Sequence, residues 1–183
     1  STQTLDVYSM ATNSVKRDDS GVKTDTLTGI EWVKTGAGAD QIVLSETIDN
    51  RVDLGAGDDI VWDLAIGATN NRADTILGGD GWDKLYYDRS TSAMTLDLVA
   101  GTSVINNVTD VIRGVEFFYT GTGADIVYGN SDAHWVETNA GNDTIDAMAG
   151  NDTVYAGANE DLVFGGDGAD LLDGGADNEG AMS

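Results

Sequence analysis

GTGADIVYGNSDAHWVETNAGNDTIDAMAGNDTVYAGANEDLVFGGDGADLLDG, residues 121–174, decides the fold. Asp125, His134, Asp143, Asp152, Asp161 and Asp170 recur in it every nine residues. Two positions after each comes an apolar residue: Val127, Val136, Ile145, Val154, Val163 and Leu172. Two positions before four of them stands Gly123, Gly141, Gly150 or Gly168, while Asp132 and Asn159 fill the other two places. A fixed period of glycine, spacer, aspartate, spacer and apolar residue marks a solenoid of small repeated units.

One unit, NAGNDTIDA at 139–147, shows how the repeat works. Thr144-Ile145-Asp146 reads as a short strand whose side chains alternate, Ile145 inward and its neighbours outward. The stretch before it is a turn, where Gly141 tolerates backbone angles closed to other residues. Two such nonapeptide units make one turn of a flattened coil with strands on two opposite walls. Successive turns stack about 4.8 Å apart, the ordinary distance between paired strands. The expected fold class is therefore all-β: a parallel β-roll, a right-handed β-helix-like solenoid.

Such a coil places Asp125, Asp143 and Asp161 along one edge and His134, Asp152 and Asp170 along the other. Carboxylates about 5 Å apart repel by about 3 kcal/mol per pair at an effective dielectric near 20. The stack calls for cations between turns. Carboxylates and turn carbonyls are hard oxygen donors at variable distance, which suits calcium better than magnesium or a transition metal.

The pattern continues upstream in degenerate form. TGAGADQIVL (35–44) holds Gly36, Gly38 and Asp40, and LGAGDDIVW (54–62) holds Gly55, Gly57 and Asp59. RADTIL (72–77) holds Asp74, and LGGDGWDKL (77–85) holds Gly79, Gly81 and Asp83. Spacings of 19, 15 and 9 between these aspartates are near multiples of nine, with a bulge expected through GATNNRA (67–73). A longer repeat relates DTLTGIEWVKTGAGAD (25–40) to DVIRGVEFFYTGTGAD (110–125), an offset of 85. Two blocks follow, roughly 1–90 and 91–183, the second carrying regular nonapeptides over about 120–175.

Composition narrows the class. The 183 residues include 32 acidic and 9 basic side chains, a net charge of -23, which repels nucleic acid and anionic membranes and attracts cations. The 40% apolar residues fall in register, unlike those of a disordered acidic chain. No cysteine and no proline are present, so disulfides, thiol catalysis and zinc–thiolate sites are excluded, leaving metal ions as staples. No apolar run approaches the roughly 20 residues of a membrane span. Ser1 in place of methionine, with no signal peptide, reads as a fragment of something longer.

These residues resemble the repeats-in-toxin (RTX) family, the haemolysin-type calcium-binding repeats of proteins exported by bacterial type I secretion. The family unit Gly-Gly-x-Gly-x-Asp-x-apolar-x is matched by GTGADIVYG (121–129), NAGNDTIDA (139–147), MAGNDTVYA (148–156), GANEDLVFG (157–165) and GDGADLLDG (166–174). The resemblance implies several calcium ions held by the aspartate and turn carbonyls of one unit together with those of the unit two further on. Carried over, the metal residues are Asp40, Asp59, Asp74, Asp83, Asp125, Asp143, Asp152, Asp161 and Asp170. The turn positions are Gly36, Gly38, Gly55, Gly57, Gly79, Gly81, Gly121, Gly123, Asn139, Gly141, Gly150, Gly157, Asn159, Gly166 and Gly168. His134 in place of aspartate implies a weak or empty site with Asp152, Asn159 in place of glycine a mildly distorted turn, and Asp177 with Glu179 a decayed last unit.

Catalysis is not expected. His134 is the only histidine, with no HExxH or GxSxG context around any partner, and reads as a surface residue in a decayed turn. The regular carboxylates are committed to cations rather than to glycoside hydrolysis. Tyr128, Trp135, Tyr155 and Phe164 fall at outward strand positions. Trp32, Phe117 and Phe118 read as packing or capping residues, and Trp62 and Trp82 as packed against turns. The Asn-Asp-Thr sequons at 142–144 and 151–153 lie inside cation turns and are incidental. The resemblance implies a secreted bacterial module that folds on calcium after type I export. The alternative it implies is a calcium-dependent carbohydrate-binding or adhesion module attached to a polysaccharide-active enzyme or adhesin, gripping an acidic polysaccharide or cell-surface glycan.

Overall fold

Most strands follow a polar turn residue and put an apolar residue first or second, and the turns between them set two walls. The computed structural model describes residues 6–8, 31–44, 48–63, 72–87, 89–176 and 181–182, with backbone alone for 6–8 and 181–182. Among these residues the structure is all-β, with no helix. The strands are β1 (Asp6–Tyr8), β2 (Trp32–Lys34), β3 (Gln41–Val43), β4 (Arg51–Ala56), β5 (Ile60–Trp62), β6 (Thr75–Asp80), β7 (Lys84–Tyr86), β8 (Met94–Asp97) and β9 (Thr102–Ile105). They continue as β10 (Val108–Arg113), β11 (Phe117–Tyr119), β12 (Ile126–Asn130), β13 (Trp135–Glu137), β14 (Thr144–Met148), β15 (Thr153–Tyr155), β16 (Leu162–Phe164), β17 (Leu171–Asp173) and β18 (Ala181–Met182).

Apart from β1–β2 and β8–β10, successive strands go to alternate walls. One wall orders β1-β2-β4-β6-β10-β9-β8-β12-β14-β16-β18, and the other orders β3-β5-β7-β11-β13-β15-β17. This is a parallel β-roll. Its register follows the sequence period: Val127 pairs with Ile145 and Ile145 with Val163, each two nonapeptide units on. On the second wall Val136 pairs with Val154, and Val154 with Leu172. The central residue of each three-residue strand points inward, so Val61, Leu85, Phe118, Val136 and Val154 meet Val52, Ile76, Leu96, Val127, Ile145 and Val163 in one core. Each such side chain contributes roughly 1.5–3 kcal/mol on full burial. A rung is thus held by one or two side chains from each wall.

The first half lengthens the turns without breaking the walls. On the second wall Ile42 pairs with Val61, Val61 with Leu85 and Leu85 with Phe118, each step longer in sequence than the one before. The bulge expected at 67–73 falls largely outside the described residues, which resume at Arg72. A second insertion is the meander β8-β9-β10, in which β9 runs antiparallel to both neighbours. β10 rejoins the wall against β6, and β8 passes it on to β12. Both sheets are therefore continuous across residue 90. The longer internal repeat changes wall here: GIEWVK leads into β2 on the first wall, while GVEFFY leads into β11 on the second. At the far end β18 pairs with β16 at the same two-unit spacing, while Asp177 and Glu179 lie outside the described residues.

Candidate metal-binding turns

The residue just before each strand occupies a fixed place in the turn, and on the second wall these residues form one row. In spatial order it runs Asp40, Asp59, Asp83, Glu116, His134, Asp152 and Asp170. Side chains on either side of the Glu116–His134 step bond the backbone of the rung before. Asp59 Oδ1 accepts the Asp40 N–H at 2.7 Å, Asp83 Oδ1 the Asp59 N–H at 2.9 Å, and Glu116 Oε2 the Asp83 N–H at 2.9 Å. Asp152 Oδ1 then takes the His134 N–H at 2.8 Å, and Asp170 Oδ1 the Asp152 N–H at 3.0 Å. On the first wall Asp125 takes the Met94 N–H at 2.9 Å, Asp143 the Asp125 N–H at 2.7 Å, and Asp161 the Asp143 N–H at 2.9 Å.

This use of one oxygen leaves the other stranded. Oδ2 of Asp59, Asp83, Asp143, Asp152 and Asp161 is buried with no hydrogen-bond partner. An ionised carboxylate with a dry, unpaired oxygen is costly unless a cation meets it. Burial accordingly holds the carboxyls of Asp59, Asp125 and Asp143 up at about 6. Burial also raises Asp83, Asp152, Asp161 and Glu116. Like charges on the next rung add to the effect, as Asp161 does for Asp143.

Backbone oxygens complete the donor set. A methyl group built on Gly141 would overlap the carbonyl oxygen of Gly123, and one on Gly168 that of Gly150. The same holds for Gly55 over Gly36, Gly57 over Gly38, Gly79 over Gly55, Gly81 over Gly57, Gly157 over Asn139 and Gly166 over Met148. Gly121 and Gly123 instead lie against Ser90 and Ser92. Turn carbonyls thus run up beside the carboxylate rows. Dry carboxylate oxygens beside carbonyl oxygens, with no thiolate, form an all-oxygen donor set that fits a hard divalent cation such as calcium.

Substituted turns keep a positive φ. Asn139 and Asn159 adopt φ of 66° and 87°, in the left-handed region that asparagine tolerates best after glycine. Asn159 holds φ 87° where Gly141, Gly150 and Gly168, at the same place in their turns, hold 148°, 135° and 147°, so that turn is mildly distorted. Met148 holds the place equivalent to Asn139 at φ 69°, where a long side chain is strained.

Three outcomes depart from the reading of the aspartate period. Glu116 stands two nonapeptide units before His134, between Gly114 and Phe118, so its unit was visible; only the longer carboxylate hid it. His134 is buried, 6% exposed, rather than at the surface: its ring packs against Phe118 with centroids 6.2 Å apart. Burial holds it below the usual imidazole range. Asp74 joins the first wall, where Asp110 Oδ1 accepts its N–H at 2.9 Å and its own Oδ1 takes the Asn50 N–H. Carboxylate oxygens of Asp63, Asp74 and Asp110, all buried, lie within 4.8 Å of one another. Burial holds Asp74 at about 6. Asp110 is further bonded by Ser103 at 2.9 Å and by the buried Tyr87 hydroxyl at 3.3 Å.

A two-walled parallel roll whose turns carry ladders of half-satisfied carboxylates defines a class: repeat modules completed by hard cations. The RTX calcium-binding nonapeptide repeat matches residues 68–90, 112–145, 135–163 and 149–178, and the chain belongs to that family. The repeats are a calcium-binding structural module, not a catalytic one. No curated protein matches the chain.

Proposed function

We propose that this chain is the calcium-folded module of a secreted bacterial protein, loose during type I export and folded outside the cell. The observation that supports this reading is the run of stranded carboxylate oxygens at Asp59, Asp83, Asp143, Asp152 and Asp161 in a chain of net charge -23. At cytoplasmic calcium levels, burying these carboxylates ionised opposes folding. At extracellular, roughly millimolar calcium the ions meet them. About six ions would add about +12, roughly half the excess charge. Ordering of the turns and binding of the ions then share one free energy.

The ligands in this reading are the carboxylates of Asp40, Asp59 and Asp83, of Asp125, Asp143 and Asp161, and of Asp152 and Asp170. The carbonyls come from the turns that hold Gly36, Gly38, Gly55, Gly57, Gly79, Gly81, Gly121, Gly123, Asn139, Gly141, Gly150, Gly157, Asn159, Gly166 and Gly168. Circular dichroism during a calcium titration tests it. A cooperative gain of β-structure, reversed by chelator, is expected; an unchanged spectrum would end the reading.

A second reading has its own observation. Trp62, Tyr86, Phe117, Trp135 and Tyr155 form a ring ladder along the second wall, with successive centroids 5.3–5.8 Å apart; Phe117 is buried between half-buried neighbours. Tyr119 joins it beside Tyr86 at 5.6 Å. Such a ladder suits stacking on sugar rings, as in a calcium-dependent carbohydrate-binding or adhesion module. A glycan array run with and without calcium separates the two. Binding lost in Trp135→Ala favours this reading, and a blank array leaves the folding module alone.

A further inference from the structure

The second-wall row changes chemistry at one rung. His134 stands where the period calls for aspartate, and its Nδ1 is buried without a hydrogen-bond partner. Across the gap lies Asp152, 2% exposed, whose Oδ2 is likewise buried and unpartnered. Nδ1 and Asp152 Oδ1 are 3.7 Å apart, too far for a hydrogen bond. The two side chains that meet across this inter-rung gap thus each carry a buried atom with no partner, and one of the two is a ring nitrogen. The Asp132 carboxylate adds negative charge nearby, and that residue's carbonyl faces the ring.

Calcium selects oxygen donors, whereas imidazole nitrogen with carboxylate suits zinc, cobalt or nickel. We propose that the His134/Asp152 gap is a distinct binding site for a borderline divalent transition metal ion, set within a row of calcium turns. Its ligands are His134 Nδ1 and the Asp152 carboxylate, with turn carbonyls or water completing the shell. The inference rests on the turns being cation sites, but it fails separately. If calcium did not fold the chain, the wider reading would fall; a calcium-folded chain that ignores zinc defeats only this one.

The test is isothermal titration of calcium-saturated protein with zinc chloride, repeated on His134→Gln and His134→Asp. One additional equivalent of zinc is expected in the wild-type chain, weakened at least tenfold in both variants. His134→Asp should gain one calcium equivalent in exchange, because it restores the oxygen ligand of the period. Circular dichroism in calcium verifies that each variant is folded, and should one fail, the other carries the comparison. No zinc uptake by the wild-type chain, or equal uptake by a folded variant, would overturn the proposal.

Discussion

Replacing Asp143 by asparagine separates a metal ligand from a hydrogen-bond acceptor, because the two roles give effects of opposite sign. Asp143 Oδ1 accepts the Asp125 N–H at 2.7 Å, and an asparagine carbonyl can keep that bond. What Asp143→Asn removes is the charge and the stranded Oδ2. Without calcium at pH 7.5 the carboxylate is ionised although burial holds it at about 6, against an ordinary 3.8. At 1.36 kcal/mol per unit, the neutral amide relieves the calcium-free fold of at most about 3 kcal/mol, less whatever screening water provides. In calcium the sign reverses. The turn has lost an anionic oxygen, and the midpoint of the folding titration should rise about tenfold or more, about 1.4 kcal/mol per ion affected. Asp143→Ala is the control: it loses the hydrogen bond too, so it should be about 1–3 kcal/mol less stable than Asp143→Asn with or without calcium. Urea unfolding in chelator and in calcium reads both states. If Asp143→Asn gave the wild-type calcium midpoint, Asp143 would be a backbone cap and nothing more.

Other consequences follow from the same turns. Met148→Gly relieves a long side chain of φ 69° and should stabilise the calcium-loaded fold by about 1 kcal/mol, read as a raised Tm; a lowered Tm would show that the side chain's packing outweighs its backbone strain. Carboxyls raised to about 6 in the fold but near 3.8 in the open chain take up protons on folding between those values, so the calcium-free fold gains stability as pH falls from about 6 to about 4 and loses it as pH rises. The same protons compete with calcium, so the calcium midpoint should climb over that window; a pH-independent midpoint would contradict the assignment. Glu116→Ala strips the Asp83 N–H of its acceptor and should cost about 1–3 kcal/mol in urea unfolding, while Glu116→Gln, which keeps an acceptor oxygen, should cost less.

Much of this was legible because the period is arithmetic. A spacing of nine between aspartates, with an apolar residue two places on, dictates alternate walls, a two-unit register and an inward Val127, Ile145 and Val163. The stacking of Asp125, Asp143 and Asp161 follows from the same count. What the count could not carry was any unit whose residue type changed. Glu116 reaches the row through one more methylene, and His134 turns an imidazole into the interior where a small carboxylate would have bound the backbone before it. Nor could spacing place Asp110, which reaches the wall only after the antiparallel meander of β8, β9 and β10 has folded back. Asp63 lies four residues past its turn aspartate, Asp59, and joins Asp74 and Asp110 only because the walls converge there. Asn159 was readable as a departure, and its φ of 87° against 135–148° at Gly141, Gly150 and Gly168 is the mild distortion expected of it.

The central claim is that divalent ions bridge neighbouring rungs through the stranded carboxylate oxygens. A crystal structure grown in calcium, with anomalous scattering collected to locate the ions, tests it most directly. Calcium should appear along the rims beside Asp143, Asp161, Asp59 and Asp83, with oxygen ligands at about 2.3–2.6 Å. A folded roll with water or nothing at those oxygens, in a crystal that never met chelator, would contradict it.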